Sequence, residues 1–233
     1  MTDNREGSKG AVRIGINLGN ALLAGRDATG ALQGIAVDLA RELGRRLDVA
    51  IDLVPFPSAG QMADAAKADA WDVALLAADP ARAHDISFTA PYLEIEATYL
   101  VPPRSGIGAL ADVDRPGVRI AVADKSAYDL ALRRSIARAE IVRAAGVAES
   151  VELFFAEQLD ALAGLRPLLV NVAASHAGCR VLDGRFTAVL QAIGAPKGRD
   201  MAELDAFVQE AKTSGLVSRL IDRHQVQGVS AAI

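Results

Sequence analysis

The chain has 233 residues, with 25 Lys+Arg against 29 Asp+Glu for a formal charge of −4, and 51% of its residues are hydrophobic. That apolar content excludes disorder, and the length fits one large domain or two lobes of about 100 residues, each able to bury a core. The chain is mildly acidic (pI near 5.4, mean hydropathy +0.21) and interleaves its arginines with acids, so it lacks the basic stripe that a nucleic acid partner requires.

In chain order, VRIGIN (Val12–Asn17) reads as a strand. A Gly-bearing loop leads to a helix whose apolar positions Ile35, Leu39, Leu43 and Leu47 recur every four residues, with Asp38, Arg41, Glu42 and Arg45 on the other side. Residues 49–54 read as strand, 59–68 as helix, and 71–76 (WDVALL) as a strand buried on both faces, because it shows no alternation. Asp79-Pro80 then marks a helix start, with Asp79 as N-cap and Pro at the first helical position. The pattern restarts with a strand at 118–123, helices at 128–136 and 148–157, and strands at 140–143 and 159–165. Two extended stretches, 96–102 and 186–193, suit strands crossing between lobes. A helix follows Gly198 with Leu204, Phe207, Val208 and Ala211 on one face, breaks at Gly215 and resumes with Leu216, Val217, Leu220 and Ile221.

Strands alternating with helices in two similar halves predict an α/β protein of two lobes, each a mostly parallel sheet flanked by helices, joined by two hinge crossovers. Residues 1–100 and 191–233 form the first lobe and 101–190 the second. Ligands of open α/β sheets bind beyond the carboxyl ends of the strands, which places the site in the cleft between the lobes.

Catalytic signatures are few. GINLG lacks the dinucleotide-binding spacing, GAPKGR is not a P-loop, and no G-x-S-x-G occurs. His84, His176 and His224 are scattered and lack the spacing of a zinc site, so they read as solvated surface residues, and neither metal nor cofactor is expected. The lone Cys179 cannot form an internal disulfide. Glu94 and Glu96 share one face of a strand and read as a solvated pair; Phe154, Phe155 and Trp71 read as core. The most apolar run, 73–78, has six residues, against the about 20 of a membrane span, so no membrane insertion is expected. The first ten residues, MTDNREGSKG, carry no apolar leader segment. The expectation is therefore a periplasmic protein whose leader has been removed, or else a cytoplasmic one.

The segment DVALLAADPARAHDISFTAPY is the most informative. An arginine one turn into a helix that starts at a strand's carboxyl end can take a carboxylate bidentately, with the backbone N–H groups assisting; Arg82 holds that position. Together with VRIGIN, GALQGIAVDLARELGRRL, VRIAVADKSAYDL and the end APKGRDMAELDAFVQEAKTSGLVSRLI, this segment resembles the bacterial extracellular solute-binding proteins of family 3. The match runs nearly end to end, and its Arg-to-Pro-Tyr block is the most specific part.

The resemblance implies the type II periplasmic-binding-protein fold and the substrate-binding protein of an ABC importer, a monomer with an ABC permease as partner. It implies Arg82 as the clamp on the ligand carboxylate, Ala77 and Ala78 just before it, Asn17 and Asn20 in the loop after the first strand, and Ser126 in the lobe-two turn. Tyr128, on the following helix, is a further candidate for the cleft wall. The chain departs from the family at four positions: Ala77 replaces a serine, Lys125 a glycine, Asn20 a stacking aromatic, and Leu165, beside Arg166, stands where an aspartate usually pairs with the α-ammonium. These departures suggest a retained carboxylate clamp without the amino-acid signature, and with Arg166 in the cleft an organic acid, even one with two acidic groups. Two alternatives share the scaffold: a dehydratase of cyclic acids, for which Asp79, Asp124 or Glu157 would be the acid, and a cytoplasmic ligand sensor. No helix-turn-helix precedes Val12.

Overall fold

A computed structural model describes residues 10–232; residues 1–9, most of the stretch read for a leader segment, and residue 233 lie outside the described residues. The elements are β1 (Val12–Asn17), a hairpin of β2 (Gly25–Arg26) and β3 (Leu32–Gln33), α1 (Ile35–Leu47), β4 (Ile51–Phe56), α2 (Ala59–Asp64), β5 (Val73–Ala77), β6 (Ile86–Phe88) and β7 (Leu93–Val101). They continue with β8 (Arg119–Ala123), α3 (Ala127–Ser135), β9 (Glu140–Ala144), α4 (Val147–Ala156), β10 (Ala161–Leu165), α5 (Arg166–Ser175), β11 (Arg180–Val181) and β12 (Thr187–Pro196). The chain ends with α6 (Ala202–Thr213), α7 (Leu216–Arg223) and β13 (Val229–Ala231).

The two-lobed α/β architecture is present, with one difference from expectation: the two sheets are continuous. The order is β4-β1-β5-β12-β7-β10-β8-β9. In one lobe β1 pairs parallel with β4 and β5; in the other β8 pairs parallel with β9 and β10. The crossing strands β7 and β12 lie antiparallel to each other, from Thr187 against Ala97 to Gln191 against Leu93. Because they run side by side, their backbone groups satisfy one another and join the sheets edge to edge. The outer part of β12 then pairs with β5, from Gln191 against Ala77 to Gly194 against Ala74, while the outer part of β7 pairs with β10. Each crossing strand therefore belongs to both lobes. After crossing back, the chain packs α6 and α7 against α1. Asp38 of α1 accepts from His224 Nε2 (2.9 Å), so this half-buried histidine is a tie between α1 and the end of α7, not the solvated residue its isolation in sequence suggests.

The amphipathic face of α1 packs as expected, with Ile35, Leu39 and Leu43 buried. At roughly 1.5–3 kcal/mol for each large apolar side chain removed from water, that face alone holds the helix to the sheet. Trp71 is buried and donates from Nε1 to Met62 O (2.9 Å). Phe154 is core, while the half-buried Phe155 stacks on His176 (4.0 Å).

Several boundaries differ, each for a local reason. The strand expected at 49–54 starts at Ile51, because Asp48 takes a left-handed conformation (φ 52°) and the Val49 N–H closes back on Gly44 O, completing the end of α1. Pro55 is tolerated in β4 because that strand is at the sheet edge. The helix expected at 59–68 splits into α2 and a 3-10 turn ending at Asp69 (φ 50°). The strand expected from 71 begins at Val73, since Asp72 accepts instead from the Arg13 N–H (2.9 Å), Nε (3.1 Å) and Nη2 (2.9 Å).

The helix expected after Asp79 does not form. Residues 80–85 are a run of turns, because the chain must reach β6 at Ile86 to pair with β12. Asp79 still caps the first turn through the Ala81 N–H (2.9 Å). The helix α5 was not read from sequence; it starts at Arg166 with Pro167 in its first turn and no capping side chain.

Gly34, the N-cap of α1, has φ 121°, and a Cβ there would collide with the Leu23 carbonyl. Gly34→Ala should lower stability by about 2 kcal/mol or more, read from chemical denaturation. The hydrogen bonds from Arg13 hold the Asp72 carboxyl below the usual carboxylate range. A depressed folded-state pKa stabilises above the unfolded-state value and is lost as pH falls. Asp72→Asn should therefore lower the melting temperature at pH 7 and weaken its decline between pH 5 and 3.

Candidate functional site

The cleft lies where the carboxyl ends of β1, β4 and β5 face those of β8, β9 and β10. The space between its walls, counted with the solvent at its mouth, is about 580 Å³. Three segments line it from the first lobe. The loop after β1 contributes Asn17, Gly19 and Asn20; the start of α2 contributes Ser58 and Ala59; the end of β5 contributes Ala77. The second lobe contributes Asp124, Ser126 and Tyr128 at the start of α3, Gly146 and Val147 at the start of α4, and Leu165 and Leu168 after β10. Val189 and Gln191 form the back wall from β12.

Local chemistry fixes these groups. Asn17 Oδ1 accepts the Gly19 N–H (3.0 Å) and Asn20 Oδ1 the Leu22 N–H (3.3 Å), side-chain turns that set both amides. Gly19 must be glycine, because a Cβ would stand 2.8 Å from Pro57 O. Ser126 caps α3 through the Asp129 N–H (3.0 Å). The N-termini of α3, capped by Ser126, and of α4, with no side-chain cap, lie at the cleft with their positive dipole ends. The lining is otherwise apolar or uncharged. Asp124 is its one carboxylate, and it accepts from Arg133 Nη2 (2.7 Å).

Five of the residues expected at the site line this cleft: Asn17, Asn20, Ala77, Ser126 and Tyr128. The structure places the other three elsewhere. Ala78 uses its N–H on Leu190 O (2.8 Å) within the sheet. Arg166 donates from Nε to Glu96 Oε2 (2.7 Å) and lines a separate surface groove with Leu22 and Val170. Glu94 and Glu96 are solvent-exposed side chains, as expected, each paired with an arginine; Glu94 meets Arg185 (3.3 Å).

Arg82 is 5% exposed and joins the lobes directly, Nη1 donating to Ala77 O (2.7 Å) and Nη2 to Lys125 O (2.9 Å). Burial pushes its pKa down to about 10, against the raising influence of Asp79 and Asp64, so it stays cationic at neutral pH. It lines a charged depression that adjoins the cleft at Ala77 and Lys125. Around it, Lys125 Nζ meets Asp64 (2.6 Å) and Arg134 grips the buried Asp79 with both Nη atoms (3.0 and 2.8 Å). Lys125, which occupies the family's glycine position, has φ 54°. A left-handed conformation explains a glycine preference there.

Of the acids considered for catalysis, Asp79 is held by Arg134 and Glu157 lies at the surface beside Arg119 (3.6 Å). Only Asp124 reaches the cleft. The residue that sequence reasoning missed is Gln191, 5% exposed on the back wall. Its signal was a single polar side chain inside the apolar run VLQAI.

The sequence profile of the bacterial extracellular solute-binding proteins, family 3, matches residues 12–227. No curated protein sequence matches. Similar solved structures include the solute receptor for L-cysteine of Neisseria gonorrhoeae (21% identity, 94% of this chain and 92% of that one, TM-score 0.80). Another is the substrate-binding protein of an amino acid ABC transporter (17%, 92% and 98%, TM-score 0.77). A third is an ancestral amino acid-binding protein, a precursor of cyclohexadienyl dehydratase (21%, 92% and 94%, TM-score 0.77). At these identities the likeness is one of fold.

Gly60 packs against Lys125 across the seam, where an added Cβ would meet the Lys125 Cβ at 2.7 Å. Gly60→Ala should wedge the lobes apart and raise the radius of gyration measured by small-angle X-ray scattering. An unchanged radius would show that the seam absorbs a methyl group.

Proposed function

The chain belongs to the bacterial extracellular solute-binding proteins of family 3, and from that membership we propose that it is the substrate-binding component of an ABC importer. It takes a small carboxylate-bearing ligand, an amino acid or an organic acid, in the inter-lobe cleft. It works outside the cytoplasmic membrane as a monomer and hands its ligand to a membrane permease. Among the described residues no helix is long and apolar enough to cross a membrane, in keeping with a separate binding component.

The observation that carries this reading is the convergence of six parallel strand ends and the N-termini of α3 and α4 on one cleft between two lobes. Such a site favours an anionic group and closes by motion of the lobes about β7 and β12. Residues 1–100 with 191–233 form one moving body and 101–190 the other. With Arg166 outside the cleft, a second acidic group on the ligand has no cation to meet it there, so the ligand is a monocarboxylate. The similarity to a dehydratase precursor keeps catalysis as the second reading. Its one acid in the cleft, Asp124, is paired with Arg133, which favours binding without turnover.

A thermal-shift screen with L-alanine, L-leucine, L-lactate, propanoate, benzoate and succinate tests this. A monocarboxylate at 100 times its Kd should add about 2.7 kcal/mol of stability, and chromatography should recover it unchanged. Silence across the panel, or stabilisation by succinate alone, would contradict the proposal.

A further inference from the structure

Three charged contacts cross the seam between the lobes. Arg134, on α3 of the second lobe, reaches Asp79, which follows β5 in the first, and donates to it from both Nη atoms (3.0 and 2.8 Å). Lys125 Nζ meets Asp64 (2.6 Å), and Arg82 Nη2 donates to Lys125 O (2.9 Å). Neither Asp79 nor Arg134 lines the cleft.

The Arg134 contact differs from the Lys125 one in burial. Lys125 and Asp64 are both exposed, and an ion pair in open water contributes little. The Asp79 side chain is only 6% exposed, beneath a half-exposed Arg134. The other bonds of Asp79 are local: Oδ1 accepts the Ala81 N–H (2.9 Å) and the carbonyl accepts the Arg82 N–H (2.9 Å). Those bonds stay within one lobe and persist when the lobes part. Arg134 is carried by the other lobe, so Asp79 has it only in the closed arrangement. The other cation nearby, Arg82, directs its Nη atoms to the carbonyls of Ala77 and Lys125. A carboxylate shut away from water without a bonded cation is costly, and opening the lobes returns Asp79 to water. The free energy of closing therefore depends on Arg134.

We infer that Asp79 and Arg134 are a positioning pair, a charge latch between the lobes that favours the closed form before any ligand arrives and so sets ligand affinity without touching the ligand. This rests on the reading of the protein as one that closes over a carboxylate in its cleft. The link is thermodynamic: the apparent affinity of a ligand falls in proportion to the fraction of protein in the competent form, and the latch raises that fraction.

The test compares the wild type with Arg134→Gln, Asp79→Asn and the double variant. Asp79→Asn keeps an oxygen for the Ala81 N–H, so the turn stays capped. In small-angle X-ray scattering without ligand, Arg134→Gln should have the larger radius of gyration. The wild type should expand towards it between about 0.1 M and about 1 M salt, as the screening length falls from about 10 Å to about 3 Å. In calorimetry with the panel monocarboxylate that stabilises the wild type most, Arg134→Gln should weaken binding by about tenfold or more. The double variant should recover most of that loss, because closure then buries no unpaired charge; a merely structural Arg134 gives no such recovery. Equal radii for the wild type and Arg134→Gln, equal affinities, or a double variant weaker than Arg134→Gln would overturn the latch and leave the carboxylate reading intact. If no panel carboxylate binds, that reading fails, while the scattering comparison still decides the latch. The salt series on the wild type needs no variant: a radius that does not change with salt counts against the latch even if a substitution disturbs folding.

Discussion

Two strands, β7 and β12, lie side by side and belong to both lobes, and the rest of the architecture follows from that pairing. Because they exchange hydrogen bonds with each other and with the inner sheets, the two parallel β-sheets face each other across a fixed line. The ends of β1, β4, β5, β8, β9 and β10 can open only onto the space between them. Val189 and Gln191 on the crossing strand β12 form the back wall of the cleft.

The seam beside the cleft uses a different chemistry. The cleft is lined mostly by apolar and uncharged residues with one carboxylate, Asp124, whereas the seam holds Arg82, Lys125, Asp64, Asp79 and Arg134 in contacts that bridge the lobes. A hydrogen bond to a charged group contributes about 1.5–3 kcal/mol, and a factor of ten in an equilibrium constant is about 1.4 kcal/mol. The Arg82 bond to Lys125 O alone can thus weight closure by an order of magnitude. Removing the guanidinium would take that donor from both carbonyls, while Asp79 would keep its pair with Arg134.

The sequence made the architecture legible because the pattern is regular. The apolar spacing of Ile35, Leu39 and Leu43, and the unbroken run of β5, each have one structural solution. Five of the expected cleft residues follow from their place at strand ends. What the sequence does not show is chemistry that depends on the partner. Arg82 and Arg166 are cations near the right strands, but their carbonyl and carboxylate partners come from 16 to 70 residues away in all but one contact, the Ala77 carbonyl. Asp79-Pro80 carries helix-start chemistry, yet β6 follows too soon for a helix. Lys125 hid a left-handed backbone behind a residue type that seldom adopts it. Gln191 was the reverse case: its single polar side chain in an apolar strand was visible, but its meaning depends on both neighbours of β12.

The account stands on closure of the lobes over a monocarboxylate, and the direct measurement is the distance between them. Spin labels at the exposed positions Lys67 and Arg138, with Cys179→Ser removing the native thiol, report one distance from each lobe by pulsed electron resonance. The prediction is a distribution that narrows towards its short end as the stabilising carboxylate is added, with a midpoint matching the calorimetric Kd. A distribution unchanged at saturating carboxylate would show that the ligand binds without closing the lobes and would contradict the mechanism.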